Sequence, residues 1–378
     1  MQTYDAIVIG LGAMGSAAVY HLAKRGLRVL GVDQFGPCHD RGSSHGETRI
    51  IRKAYFEHPD YVPLLIRAYA LWDELAAETK MDLFERCGLL LAGPRDGNVV
   101  PGLYRAAAAH GLPLETLGAK DLARRYPMFN LPTERYEAVF EADAGFLHLE
   151  LCLLAHNIAA QRAGADLFHN HRVLGWESDG KTVKVATDRL TISAGALVVC
   201  GGPWSEWMLT GLAVPLAVRR KVQLWFVTRD QRFDAAFHVP VFGVEASEGF
   251  FYGFPSVNAR QIKVAHHTGG ARVEHADRVD RELHDEDVEP VRRFIDAHLH
   301  GVTDEVARHS VCMYTMTPDE HFILDRHPGY PNVVFAAGFS GHGFKFASVV
   351  GEVMADLAVT GRTDQPIDFL RLSRLTRS

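Results

Sequence analysis

Cysteine is scarce in this chain: five residues in 378, at Cys38, Cys87, Cys152, Cys200 and Cys312, odd in number and without CxxC spacing. That argues against a disulfide framework and a structural zinc site, and it suits a reducing compartment. Long apolar runs are missing too; stretches such as Gly88–Gly93 are far too short to cross a bilayer. No basic segment followed by an apolar one precedes the first predicted strand, so the expectation is a soluble, cytoplasmic protein without a membrane partner. Excess positive charge is also absent. The formal net charge of -6 leaves no electrostatic footprint for nucleic acid. The pairs His169/His171 and His298/His300 lack a third ligand at sensible spacing, so no metal is expected. There is no internal repeat and no disordered linker.

What remains is the composition of a globular protein, 47% hydrophobic and 23% charged, able to bury a large core. At 378 residues the chain is long for one core, which implies two domains or one elaborated α/β domain. Asp5–Ile9 reads as a buried parallel strand, followed by a glycine-rich turn and a helix to Lys24. Gly26 ends that helix, and Arg28–Val32 reads as a second strand. Apolar positions at Leu64, Leu65, Ala68, Leu71, Trp72 and Leu75 predict an amphipathic helix over Tyr61–Lys80. Residues 81–140 are mixed, with an alanine-rich helix around Ala106–Ala109 and turns at Pro94 and Pro101. A helix near Leu149–Ala163 and short strands to Cys200 precede a largely strand-like stretch over 215–325, broken by a charged helix at Asp285–His300. The end returns to α/β order: strand Val333–Ala337, a glycine-rich turn, and helix Phe346–Leu357.

The first turn carries the most local signal. Gly10-Leu-Gly12-Ala13-Met14-Gly15 lies between the first strand and helix. Gly10 permits the tight turn, Gly12 lets the backbone approach a pyrophosphate, and Gly15 allows close packing. The helix N-terminus then offers unpaired N–H groups to the phosphates, and Asp33, closing the second strand, is the candidate acceptor for a ribose hydroxyl. The glycine pattern alone is a weak signal. With strand, helix and acid in place, a dinucleotide is the expected ligand, although the pattern does not separate FAD from NAD. The expected fold class is α/β (α+β). A Rossmann-like cofactor domain (1–85, 141–215 and 326–378) is interleaved with a mixed, sheet-rich substrate domain (86–140 and 216–325).

Three further stretches are more specific: Gly42-Ser-Ser-His-Gly-Glu-Thr-Arg-Ile-Ile-Arg52, Ser310-Val-Cys-Met-Tyr-Thr-Met-Thr-Pro-Asp-Glu-His321 and Gly338-Phe-Ser-Gly-His-Gly-Phe-Lys-Phe346. With the N-terminal glycines they make the chain resemble, essentially end to end, the monomeric sarcosine oxidase and N-methyltryptophan oxidase family of FAD-dependent amine oxidases. The resemblance implies FAD, joined through its 8α-methyl to the thiol of Cys312. Further cofactor contacts are then expected from Gly10, Gly12, Ala13, Met14, Gly15, Asp33, Ser43, Thr48, Arg49, Val173, Gly338, Gly341, Gly343 and Lys345.

Arg52 and Lys345 match the family's carboxylate-binding pair; a guanidinium suits bidentate recognition and a lysine adds a point charge. His45 and Arg49 match positions beside the flavin ring, and His267, Tyr252 and Tyr314 match the substrate pocket, with His267 orienting the amine. Lys263 matches the family lysine that promotes reaction with oxygen, where a fixed ammonium favours formation of an anion. Backbone N–H groups of Gly338–Gly343, ahead of a helix, suit the negative charge gained by a reduced ring.

The implied activity is oxidation of a secondary amino acid, sarcosine or another N-methyl amino acid, by O₂, in a monomer with no macromolecular partner. The rivals are oxidation of a cyclic imino acid, a flavin dehydrogenase with another electron acceptor, and a non-catalytic flavin-binding module. Two departures from the family pattern stand out. Ser44 replaces a second histidine, and Lys53-Ala-Tyr-Phe-Glu-His58 replaces a more glycine-rich stretch near the substrate entrance, adding the bulk of Phe56 and His58.

Overall fold

A computed structural model describes residues 3–376 apart from 210, 235, 236, 238, 258 and 259. Its first strand, β1 (Thr3–Ile9), is continuously buried from Ala6 to Ile9, as a strand must be where both faces of a parallel sheet are covered. It pairs in parallel with β2 (Val29–Val32) on one side and with Thr191–Val199 on the other. Asp166–Phe168 adds beyond β2, and Val333–Ala337 adds beyond Thr191–Val199, both parallel. The helix α1 (Ala13–Lys24) links β1 to β2. It packs against Ala347–Thr360 so tightly that a Cβ on Gly351 would lie 2.5 Å from Ala17. Helices Val62–Thr79 and Leu149–Arg162 complete this apolar layer around Trp72, Leu153 and Phe346.

The second sheet has nine strands and is mostly antiparallel. Its longest pairing joins Ala217–Thr228 to Val302–Met316, and one parallel contact joins Val241–Ala246 to Leu89–Pro94. Its core is phenylalanine-rich, and Phe251 stacks on Phe294 of the charged helix Asp285–His298 with centroids 4.5 Å apart. The strands of the first sheet lie within residues 3–32, 166–199 and 323–337, and those of the second within 89–141 and 217–316. The chain therefore passes back and forth between the two sheets, and segments of both reach one cavity.

One sequence expectation is corrected. Pro101 does not mark a turn: it is the third residue of the helix Val99–His110. The first four N–H groups of a helix have no intrahelical partner, so proline is tolerated there. No helix is long and apolar enough to cross a membrane among the described residues.

Candidate active site

The cavity holds about 700 Å³ and runs between the two sheets. One end is made mainly of backbone. Gly10 turns the chain at φ +89°, and a Cβ there would lie 2.4 Å from the Cys200 carbonyl oxygen. Gly12 has open space above it, meeting only the Ser44 hydroxyl at 3.5 Å, so a ligand can approach the bare backbone. At Gly15 a Cβ would sit 1.6 Å from the Gly10 carbonyl oxygen, so helix α1 can close on its own turn only with glycine there. Ala13 N–H donates to Ser44 Oγ at 3.2 Å, which gives the serine of the departed Ser-Ser-His pattern a local role. Asp33 is buried and accepts N–H bonds from Leu11 (2.7 Å) and Phe35 (2.8 Å), which aims its carboxylate into the same end. Met14 and Val173 complete this wall.

The other end is made of charged and aromatic side chains from widely separated segments. Arg52 is only 4% exposed and is not a solvated cation. Its guanidinium donates to both carboxylate oxygens of Glu57 (2.7 and 2.6 Å) and to the Ala54 carbonyl (2.6 Å). It lies 4.2 Å from the Tyr55 ring centroid and 4.3 Å from that of Phe56. Burial works against the Glu57 charge, but Arg52, His342 and Lys345 outweigh it and hold the carboxyl below its ordinary range. Lys345 is buried and donates to the His342 carbonyl at 2.7 Å. Burial, with Arg52 nearby, pulls its ammonium down to about 7.

His342 follows from hydrogen-bond logic. Its Nε2 lies 3.0 Å from the Glu320 carbonyl, which can only accept, so Nε2 carries the proton. Nδ1 then accepts from the Tyr55 hydroxyl at 2.5 Å. Burial pushes this imidazole down to about 4, so it is neutral at physiological pH. His267 is similarly pushed down to about 3 by burial and then by Lys221, and its Nδ1 is 3.2 Å from the Tyr314 hydroxyl. Tyr314 lies under Gly341, where a Cβ would come within 2.3 Å of the ring. Tyr252 shares this aromatic wall.

Cys312 lines the cavity but is 99% shielded, with Arg49 Nη2 at 3.9 Å from its sulfur. Arg49 also donates to the backbone carbonyls of Ser43, His45 and Thr48, which fixes the loop that carries them. Ser43, Gly338 and Gly343 contribute to the lining as well.

Gly15 packs beneath the turn rather than lining the cavity, and at the reactive end three more expected site residues stand behind the lining. His45 is buried between Gly42 O and Ser310 Oγ, and burial with Arg49 pushes it down to about 3. Thr48 accepts from Lys263, whose ammonium donates to Gly46 O (2.7 Å) and Thr48 O (2.9 Å). Burial, reinforced by Arg49, holds the Lys263 pKa well below an ordinary lysine. His45 and Lys263 bond to backbone carbonyls of the Gly42–Arg49 loop from behind the cavity wall. Sequence reasoning missed Glu57, His342 in its polar role, Lys221, and Gln223, which lines the cavity and accepts from Arg49 Nη1 at 3.4 Å. Glu57 had a signal, an acid five residues from Arg52; Lys221 had none, being one more cation in Arg219-Arg-Lys221.

The residues present fit a dinucleotide cofactor on their own chemistry. A glycine cradle with a bare backbone faces an acid acceptor, and at the other end the Thr315 hydroxyl is buried in the wall without a partner among the described residues. A buried orphan of that kind leaves a hydrogen bond free for a bound ligand or water.

The family profile described as FAD dependent oxidoreductase (DAO) matches residues 5–357. The chain belongs to this family. As an FAD-dependent oxidoreductase it is 43% identical, over 99% of its length and 98% of the relative's, to a monomeric sarcosine oxidase of Streptomyces avermitilis. It is 41% identical, over 98% of each chain, to an N-methyl-L-tryptophan oxidase of Yersinia pestis. Among solved structures, NikD, an unusual amino acid oxidase essential for nikkomycin biosynthesis, shares the fold with a TM-score of 0.87 at 24% identity, covering 98% of each chain.

Proposed function

We propose that this oxidoreductase is an oxidase of N-methyl amino acids, such as sarcosine, with O₂ as electron acceptor. The observation that carries the reading is the pair of buried cations, Arg52 and Lys345, beside an aromatic wall in a cavity whose far end is a dinucleotide cradle. A substrate carboxylate is the natural occupant between them. It exchanges with Glu57 for the guanidinium, so the desolvation cost of the buried cation is already met in the resting site. His267, neutral and held against Tyr314, accepts a hydrogen bond from the substrate amine and so orients it for oxidation. FAD, when bound, supplies a two-electron acceptor. The N-methyl group leaves as formaldehyde after hydrolysis of the imine, and one O₂ is reduced to one H₂O₂ for each primary amino acid formed.

Cys312 is the residue we assign to covalent attachment, and Lys263 to promoting the reaction with oxygen; both follow the family motifs and fit their burial beside Arg49. We further read the enzyme as a cytoplasmic monomer. The deciding test is a peroxide-coupled screen of N-methyl and cyclic amino acids in air. Turnover of an N-methyl amino acid with stoichiometric peroxide supports the reading. Turnover without peroxide points to another electron acceptor, and turnover of cyclic imino acids alone moves the substrate class. Cys312→Ala should release its flavin on acid precipitation; flavin that stays with the denatured chain would rule out the assigned attachment.

A further inference from the structure

Lys221 has no place in the reading so far, yet it is 6% exposed in the middle of the strand Ala217–Thr228. Burying an ammonium costs several kcal/mol unless it is paired. Among the described residues no carboxylate lies within ion-pair distance of it, and it donates instead to the carbonyls of Thr268 (2.9 Å) and Gly269 (3.3 Å). These carbonyls belong to the turn that directly follows His267. The turn is pressed onto the lysine: a Cβ on Gly270 would lie 2.9 Å from Lys221 Cδ and 2.5 Å from the Arg220 carbonyl oxygen. His267 is fixed at its backbone by an N–H bond to Phe250 O at 2.8 Å and at its ring by Tyr314 at 3.2 Å. The ammonium of Lys221 also stands 5.5 Å from the Tyr314 ring centroid, a cation–π separation. In the strand ladder Lys221 pairs with Cys312, two residues before Tyr314.

We propose that Lys221 is a positioning residue for the reactive end, anchoring the turn that carries His267 and directing positive charge at the rings of His267 and Tyr314. The inference rests on the reading of His267 as a substrate-contacting group. A tether alone would not need a charge, because an amide would donate to the same carbonyls at lower cost in burial. The charge has a target. The groups facing His267 are Lys221, His342, Glu57 and Lys345 by charge and Tyr314 by hydrogen bond, and Lys221 has the largest effect among the charges. Those coupled to Lys221 are Arg219 and His266 and, as long as its thiol is free, Cys312. Burial pulls the Lys221 ammonium down to about 8, so its charge is present below that pH and fades above it.

Three variants of the holoenzyme separate tether, charge and scaffold. Lys221→Arg keeps donors and charge, Lys221→Gln keeps donors alone, and Lys221→Met keeps neither. The expected order of kcat/KM is parent, Arg, Gln, Met. The Met variant should lose on the order of tenfold, in kcat more than in KM. Thermal stability should be unchanged or raised in the Met variant, since a buried charge without a counter-ion is gone. In the parent, kcat/KM should carry a falling limb near pH 8 in addition to the one that Lys345 contributes near 7; the limb near 8 should vanish in the Gln variant and move upward in the Arg variant, while the other stays. Parent-like kcat/KM and pH dependence in Lys221→Gln and Lys221→Met overturn the proposal. So does a parallel loss of activity and stability in all three, which is the signature of scaffold alone. If the Met variant does not fold, the Arg and Gln pair decides by its pH limbs. His267→Gln is the control: if it keeps full kcat/KM, the reading of His267 fails, whereas a damaged His267→Gln beside parent-like Lys221 variants refutes Lys221 alone.

Discussion

The two ends of the cavity are built on opposite plans. The cradle around Gly10–Asp33 is mostly backbone, uses one acid, and comes chiefly from a single short stretch of chain. The reactive end is mostly side chain, concentrates Arg49, Arg52 and Lys345 in its wall with Lys263 just behind, and draws on segments more than 200 residues apart. The first plan selects shape and tolerates little change in volume. The second selects charge, and its cost is desolvation, visible in the depressed pKa values of Lys263 and Lys345.

The contrast can be broken at four points. Gly15→Ala should have the largest effect. Its Cβ has no room against the Gly10 carbonyl, so bound flavin should be lost, with destabilisation on the order of 4 kcal/mol. Flavin absorbance of the purified protein and the denaturant midpoint read both. Lys263→Met should come next, slowing reoxidation by O₂ by about 100- to 1,000-fold while anaerobic reduction by substrate changes far less. Equal losses in the two half-reactions, followed by stopped-flow absorbance, would remove the assigned oxygen role. Arg52→Met should cost substrate binding about 2–5 kcal/mol, because Glu57 is left without its partner and the carboxylate without its anchor. Unchanged KM would show that the carboxylate binds elsewhere.

The smallest effect is a pH dependence. Lys345 is charged below about 7, so the Kd of an amine-free carboxylate inhibitor should rise through that pH, by roughly tenfold per unit at most. The dependence should flatten in Lys345→Met. For stability the sign is reversed: the folded state holds fewer protons than the unfolded chain between about 7 and the ordinary lysine value. This group therefore adds stability as pH rises across that window.

The same contrast explains what could be read in advance. Strand, glycine turn, helix and Asp33 are contiguous, and each glycine answers to a local steric demand, so the cradle was legible from residue spacing alone. The reactive end was legible only through resemblance of its motifs. Nothing local in Gln261-Ile-Lys263 distinguishes a buried ammonium from a surface one, since strand alternation predicts both. Arg52 lines the cavity, but its bidentate partner Glu57 was not foreseen, because pairing depends on how the 52–57 loop folds back. Lys221 escaped altogether: its burial is set by the turn after His267, almost 50 residues further along. Pro101 misled for the opposite reason, a local rule applied one turn too strictly.

The order of strands in the first sheet has a consequence for biosynthesis. β1 leaves the ribosome long before one of its neighbours, Thr191–Val199, which is flanked in turn by Val333–Ala337. The carbonyl of Cys200, just past that central strand, is what presses on Gly10. A nascent chain therefore carries its dinucleotide turn while the intervening segments are made, without the strands that give the turn its shape. Such long-range pairing is slow and leaves strand edges open meanwhile. Flavin can be captured securely only once Val333–Ala337 has been made, and chains truncated before Val333 should be recovered without it.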